Sequence, residues 1–444
     1  MHVIVMIGQI LLALSILIVL HELGHFAAAR AFGIRVEKFY LFFDAYDFKL
    51  FSFKHGETEY GIGWLPLGGY VKIAGMIDES LDTTQLKTEP EPWEFRSKPA
   101  WQRLIVMVGG VVVNLVLAMI IFAGLLFVNG EQFIPTASLK NGVVPSEMGK
   151  ILGMQTGDIP VAVNGMPLKE FSPILTTEIF IAKTPPTITV MRGTQNVNLQ
   201  VPATFIKDFV NAPKDQQYLA MPRFEFTVGK LLAGRNAERA GLKEEDKILG
   251  VNGEKTPFFD EFKAALKKNA GKYIVINAQR STGNIDLKCL VEKDGSIGFR
   301  QNPTLKTETK SYSFAQSIPA GIAKAYNFIG DYIKGMGKLF SGDVPVQKSL
   351  GGPIAIAQDM YGGVWDWTNF WNATAILSAI LAFMNILPIP ALDGGHVVFL
   401  LIEMITRRPV GEKVLLAAQY VGMVLVFGLM IFVFGNDIWQ RILH

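Results

Sequence analysis

The chain has almost no cysteine and little charge, and each shortage narrows what it can be. Cys289 is its single cysteine, which excludes an internal disulfide framework and a cysteine-rich metal cluster. Only 18% of its 444 residues are charged and the net charge is +3. A global basic field of the kind that nucleic-acid binding needs is therefore missing, and no nucleic-acid partner is expected. Apolar residues take up the difference. Half the chain is hydrophobic, more than a typical soluble protein carries, and the excess gathers near the N-terminus, around residue 115 and in the C-terminal stretch after residue 370.

The first apolar run, Val3 to Leu20, is broken only by Gly8, Gln9 and Ser15. A signal peptide would carry a basic leading region and a cleavage site of small residues. Neither is evident, so the run reads as a membrane helix of about the minimum spanning length. A second run covers Leu104 to Val128, a third extends from near Phe370 to Ile405, and a fourth covers Val414 to Phe434. The third is too long for one span and is interrupted by Leu387-Pro388-Ile389-Pro390-Ala391-Leu392-Asp393-Gly394-Gly395. Two prolines and two glycines free backbone groups from any helix. Inside a bilayer such groups survive only where protein or a water-filled cavity satisfies them. A broken membrane helix that carries an aspartate thus marks a candidate site.

Short loops rich in Lys and Arg face the cytoplasm. The stretch between the first two runs holds Arg30, Arg35, Lys38, Lys49, Lys54, Lys72, Lys87, Arg96, Lys98 and Arg103; the last short loop holds Arg407, Arg408 and Lys413. Both are expected to be cytoplasmic, with the long central segment on the opposite side.

That central segment is an internal repeat. Gly153, Asp158 and Asn164 recur as Gly241, Asp246 and Asn252, each 88 positions later, and a constant offset over three landmarks indicates a duplicated domain. Each copy has a turn, a short strand ending in Asn-Gly and an expected helix, Pro173 to Ile181 in the first and Phe259 to Lys268 in the second. The pattern resembles PDZ domains, which recruit extended peptides by adding a strand to a sheet edge; exclusion of bulky proteins from a membrane site is an equally open role. Beyond the repeat, Tyr312 to Phe340 interleaves apolar residues with Lys324, Asp331, Lys334 and Lys338, the pattern of an amphipathic helix lying on the membrane surface.

The chemistry sits at His21-Glu22-Leu23-Gly24-His25, expected to end the first helix. Histidines at i and i+4 project from one helical face, so both imidazoles can reach one ion. The glutamate between them is placed to take a proton from water held by the metal. Zinc suits two imidazoles and a carboxylate with a fourth position left open. Asp393 is the third candidate ligand, with His396 as its competitor and helix capping as the bland reading of the same aspartate. For the histidine pair, the bland reading is a polar mark at the end of a span. The stretch from Glu59 to Leu65 through Tyr70 to Ile73 reads as a glycine-rich hairpin, and Gly61, Gly63, Gly68 and Gly69 are candidates for binding an extended substrate backbone.

With these motifs in hand, the sequence resembles the site-2 protease family over essentially its whole length. HELGH in the first span, Asn385 to Gly394, the paired repeat, Pro66-Leu67-Gly68-Gly69-Tyr70-Val71-Lys72 and Ser349-Leu350-Gly351-Gly352-Pro353 carry the likeness. It implies His21, His25 and Asp393 as ligands of Zn2+, Glu22 as the catalytic base, and Asn385 as a residue that binds the substrate backbone. It also implies a membrane-reentrant β-loop at about 57–75. Single-span membrane proteins such as an anti-sigma factor, and signal-peptide remnants, would be the substrates within the lipid bilayer. The chain would lie in a bacterial inner membrane, with periplasmic PDZ domains and the active site toward the cytoplasm. Two departures stand out: Phe42-Phe43-Asp44 replaces a glycine-rich element, and Gly110-Val111 replaces a Gly-Pro.

The expected architecture is a multi-pass α-helical membrane protein with four transmembrane helices, two tandem extracytoplasmic PDZ domains and a membrane-associated β-hairpin. Its parts would be 1–128, 129–220 and 221–305 for the repeats, 306–369 for the amphipathic helix and connector, and 370–444. A membrane metal transporter and a non-catalytic PDZ scaffold are the other function classes, and tolerance of Glu22→Gln would mark either.

Overall fold

The structure is a computed structural model that describes residues 2–66, 68–76, 89–172, 185–213, 216–232, 234–342 and 351–439. It divides into two compact units, one drawn from Met1–Gly130, Ser311–Gly337 and Val346–His444, the other from Glu131–Lys310 and Lys338–Pro345.

The first unit is a helical bundle with a small sheet. Its helices are α1 (His2–Ala31), α2 (Ala100–Asn129), α3 (Phe314–Phe340), α4 (Trp367–Ile386), α5 (Asp393–Thr406) and α6 (Glu412–Ile438). Four of them are long and apolar enough to cross a membrane: Val3–Ala31, Ala100–Asn129, Trp367–Ile386 and Lys413–Ile438. α1 does not stop at HELGH but continues to Ala31, because Ala27-Ala28-Ala29 are strong helix formers. The apolar run marks where lipid begins, and the helix outlasts it. α2 packs against α1, α4 and α5.

Glycine sets the α1–α2 distance. A methyl group at Gly24 would strike the Gly109 carbonyl and lie 2.9 Å from Gly110 Cα, and one at Gly109 would lie 2.6 Å from the Gly24 oxygen. Small residues are what let two membrane helices approach this closely.

Between α4 and α5 the chain breaks as its prolines require. Leu387, ahead of Pro388, is extended (φ −62°, ψ 145°), as a residue before proline must be. Short turns then satisfy part of the freed backbone, with Ile389 N–H donating to the Leu387 carbonyl at 2.7 Å and Leu392 N–H to that of Ile389 at 3.0 Å. Ala391 takes φ 89°, a conformation that strains any residue with a β-carbon. α6 meets the break where Gly422 leaves room for the Pro390 carbonyl. Its far end is pinned by Asp437, which accepts from the amides of Gly352 (3.0 Å), Ile354 (2.9 Å) and Ala355 (3.1 Å).

The small sheet comprises β1 (Val36–Leu41), β2 (Lys49–His55), β3 (Thr58–Gly63) and β4 (Tyr70–Ile73), in spatial order β2-β3-β1-β4. This corrects the expected hairpin between residues 59–65 and 70–73. β3 runs parallel to β1, and β4 is antiparallel to β1 on its other side. The hairpin is instead β2–β3, turning at Gly56 with φ 60°. Strands adjacent in sequence are here not adjacent in space, because β1 lies between β3 and β4.

In the second unit the repeat reappears as two separate cores. The first holds β5 (Ile159–Val163), β6 (Thr187–Arg192) and β7 (Gln195–Gln200); the second holds β8 (Phe226–Leu231), β9 (Lys247–Val251), β10 (Tyr273–Arg280), β11 (Gly283–Leu290) and β12 (Phe299–Pro303). The order β7-β6-β5 matches β11-β10-β9. The helix expected at Phe259 to Lys268 is present, whereas Pro173 to Ile181 lies outside the described residues.

The offset of 88 extends to side-chain bonds that the motif did not include. Arg192 bonds Asp158 (2.8 Å) and the Gly153 carbonyl (2.8 Å); Arg280 bonds Asp246 (2.7 Å) and the Gly241 carbonyl (3.0 Å). Asn164 Oδ1 accepts from the Thr187 amide as Asn252 Oδ1 accepts from that of Val275. Each aspartate is 1% exposed. Burial works against the charge of Asp246, but Arg280 and the Lys243 amide outweigh it and hold the carboxyl below its usual range.

Two tests follow from these buried carboxylates. Arg280→Leu leaves Asp246 buried without its cation and should destabilise the second repeat by about 3–5 kcal/mol near neutral pH. An unfolded aspartate titrates near 3.9, so the wild-type advantage in denaturant unfolding should disappear as pH falls through the lower folded-state value. Asp437→Ala strands three amides and should lower resistance to unfolding in detergent by about 3 kcal/mol or more, with Asp437→Asn milder.

Candidate metal centre

His21 and His25 stand one turn apart on α1, and the break between α4 and α5 delivers Asp393 to the same face. Asp393 opens α5, but the cap position falls to Leu392, which makes no capping side-chain bond. The Asp393 carboxylate turns instead to the imidazoles. Its Oδ2 lies 3.3 Å from His21 Nε2 and 3.4 Å from His25 Nε2, and the two nitrogens are 3.2 Å apart. Four ligands at about 2.0–2.1 Å around a tetrahedral zinc are separated by about 3.3–3.4 Å, which is the triangle these atoms form. Oδ2 is buried with no hydrogen-bond partner, and it converges with two ring nitrogens in an apolar bundle. The residues fit a divalent cation. Among the described residues this is the one such group close enough to hold a metal, and His396, in the first turn of α5, is not part of it.

Backbone and small residues make the room. A side chain at Gly110 would collide with both imidazoles, 2.7 Å from His21 Nδ1. The remaining ring nitrogens are held from α2: His25 Nδ1 lies 2.8 Å from the Val106 carbonyl, and His21 Nδ1 lies 3.2 Å from Asn114 Nδ2. Neither contact was legible as a ligand partner beforehand. Val106 acts through its main chain, which leaves no mark in sequence. Asn114 had a readable signal, being an amide in an apolar span one turn after Gly110.

Glu22 hydrogen-bonds the Val71 backbone on β4. Gly69, just ahead of β4, lies against Glu22, since a β-carbon there would sit 3.7 Å from Glu22 Cγ and 2.5 Å from Ile18. Asn385, at the end of α4, brings Nδ2 to 3.4 Å from His21 Nε2. The other expected backbone-binding glycines serve the sheet: Gly61 faces the Tyr40 ring, Gly63 the Phe43 carbonyl and Gly68 the Phe43 ring. The Phe42-Phe43-Asp44 element is ordered by aromatic stacking. Phe43 stacks on Tyr70 with centroids 6.0 Å apart, Tyr40 on Tyr70 at 5.5 Å, and Asp44 accepts from Lys38 and Tyr70. Phe42 takes φ 67°, the backbone state a glycine would adopt without strain.

Comparison with known proteins agrees with this geometry. The model of peptidase family M50 matches residues 9–429. The regulator of sigma E protease of Haemophilus influenzae is 28% identical over 97% of this chain and 98% of its own. Protease RseP of Yersinia pestis is 28% identical with the same coverage of each chain, and the Salmonella typhimurium regulator of sigma-E protease RseP is 26% identical, again over 97% and 98%. With a match that spans nearly every residue, a zinc-shaped triangle at its centre and four apolar helices around it, the chain belongs to peptidase family M50, as a multi-pass inner-membrane zinc metalloprotease of the site-2 type.

Proposed function

We propose that His21, His25 and Asp393 hold the zinc ion, that Glu22 is the catalytic base, and that the enzyme cuts single-span membrane proteins, an anti-sigma factor among them, in regulated intramembrane proteolysis. The observation that carries this is the 3.2–3.4 Å triangle of two Nε2 atoms and one Oδ2 with Glu22 on the same helical turn. Zinc, when bound, supplies a Lewis acid that polarises the scissile carbonyl and makes water acidic near neutral pH. Glu22 receives the proton on its carboxylate, steadied by the Val71 amide, and returns it to the leaving nitrogen. Asn385 Nδ2 is a donor for the substrate carbonyl beside the site.

A helical substrate shields its own peptide bonds, so it must be extended before attack. β4 supports the reading that it is caught by strand addition: the strand is at an edge of the sheet and adjoins Glu22 through Val71. Gly69 lets its own backbone lie close to Ile18 and Glu22, and Gly61, Gly63 and Gly68 let the strands and loop pack on Tyr40 and Phe43, which supports a glycine-lined place for an extended substrate beside the base. α3 supports an interfacial role. Ser317, Gly321 and Ala325 form its buried stripe, while Phe314, Ile318, Ile322 and Tyr326 beside it are exposed. The Lys- and Arg-rich short loops support a metal centre toward the cytoplasm, about 30 Å along α1 from His2, with the repeat, read as tandem PDZ domains, in the periplasm.

Glu22→Gln should abolish cleavage of a model membrane-spanning peptide yet retain close to one zinc per chain, whereas Asp393→Ala should lose the metal. Metal transport or scaffolding would survive Glu22→Gln, and cleavage by that variant at the wild-type rate would defeat the assignment.

A further inference from the structure

We infer that Asn114 is a positioning residue for His21: its side-chain amide oxygen accepts the Nδ1 hydrogen and so commits Nε2 to the metal. This rests on the reading of His21 as a zinc ligand. An imidazole that gives Nε2 to a cation carries its hydrogen on Nδ1, and that hydrogen needs an acceptor fixed in place. For His25 the acceptor is the Val106 carbonyl at 2.8 Å. For His21 the polar atom at Nδ1 belongs to Asn114, at 3.2 Å.

Three facts make Asn114 more than a neighbour. The residue is fully buried in α2, among apolar side chains where an amide is unfavourable without a purpose. Its Oδ1 has no hydrogen-bond partner, and an unsatisfied buried acceptor carries a penalty that a leucine would avoid. Its backbone is also held across the bundle, since Ser378 on α4 donates to the Asn114 carbonyl at 2.7 Å.

A carboxamide carries a donor and an acceptor at the same reach, and a half-turn about χ2 exchanges them. With Nδ2 toward the ring, the amide donates to Nδ1, and the ring hydrogen sits on Nε2, where it opposes a cation. With Oδ1 toward the ring, the amide accepts, and Nε2 is free to coordinate. Asn114 can therefore serve both the metal-free and the zinc-loaded ring, which a backbone carbonyl such as that of Val106 cannot do. The two histidines are held by unlike means: His25 is fixed in one tautomer, and His21 is adjustable.

The test uses the full-length protein in detergent, with zinc affinity read by chelator competition and the site geometry by the visible spectrum of the cobalt-substituted form. Asn114→Leu, similar in size but without an acceptor, should weaken zinc by about 10–100-fold and alter the cobalt bands. Asn114→Asp, which keeps an acceptor, should bind zinc within a few-fold of wild type with an unchanged spectrum. Zinc affinity and cobalt bands left unmoved by Asn114→Leu would overturn the inference. So would an Asn114→Asp that loses zinc as badly as Asn114→Leu, because packing and not the acceptor would then be at stake. His21→Ala run alongside separates the two readings: if it keeps wild-type zinc affinity, the ligand assignment has failed, whatever Asn114 does.

Discussion

The contact between Gly24 on α1 and Gly109 on α2 governs what the rest of the site can be. With any side chain at either position the helices would stand further apart, since the hypothetical β-carbons already fall on the partner's main chain. That spacing brings the Val106 carbonyl and Asn114 within bonding distance of the two imidazoles and lets Gly110 lie flat against both rings. Bulky apolar residues could pack this bundle tightly, but they could not bring backbone and ring nitrogens into contact. The sequence meets the requirement with three glycines, Gly24, Gly109 and Gly110.

The break before α5 is the second half of the same construction. Pro388 and Pro390 remove amide donors, so the interrupted segment has fewer groups to satisfy in lipid. Gly394 and Gly395 then let the start of α5 fold back against the carbonyls of Ile386, Leu387 and Ile389. Ala391 bears strain at φ 89°, and Asp393 lies two residues beyond it. α6 meets the break at Gly422, where the missing side chain leaves room for the Pro390 carbonyl, and Asp437 ties its end to the Gly352–Ala355 turn.

Much of this was readable in the residues, and the failures have physical reasons. Periodicity and length gave four spans, the i, i+4 histidines gave the ligand face, and the interruption of the third run pointed to Asp393. The constant 88-residue offset found the repeat and, followed further, would have paired Arg192 with Arg280, because each sits where its copy's buried aspartate needs a cation. α1 outlasts its apolar run because hydropathy ends where lipid ends, whereas helix propensity does not. The sheet was mistaken because β1, before the hairpin in sequence, inserts between β3 and β4 in space. Nothing in local pattern distinguishes a parallel neighbour from a turn. The Val106 carbonyl could not have been found at all, since every residue carries one.

The buried carboxylates, taken side by side, isolate the one that is unlike the others. Asp158 and Asp246 are each neutralised by an arginine that also bonds a main-chain carbonyl. Asp437 accepts three amides, enough donors to hold a charge away from water. Glu94 has Arg96 beside it. Asp393 has none of these: its buried Oδ2 meets two ring nitrogens that have lone pairs of their own to place. Burying a carboxylate without compensation costs several kcal/mol even after relaxation. Among the described residues the fold thus satisfies Glu94, Asp158, Asp246 and Asp437 from within, and leaves Asp393 with an oxygen that suits a positive charge from outside the chain. A divalent cation at the centre of the triangle would supply that charge and give the three ligand atoms a common partner.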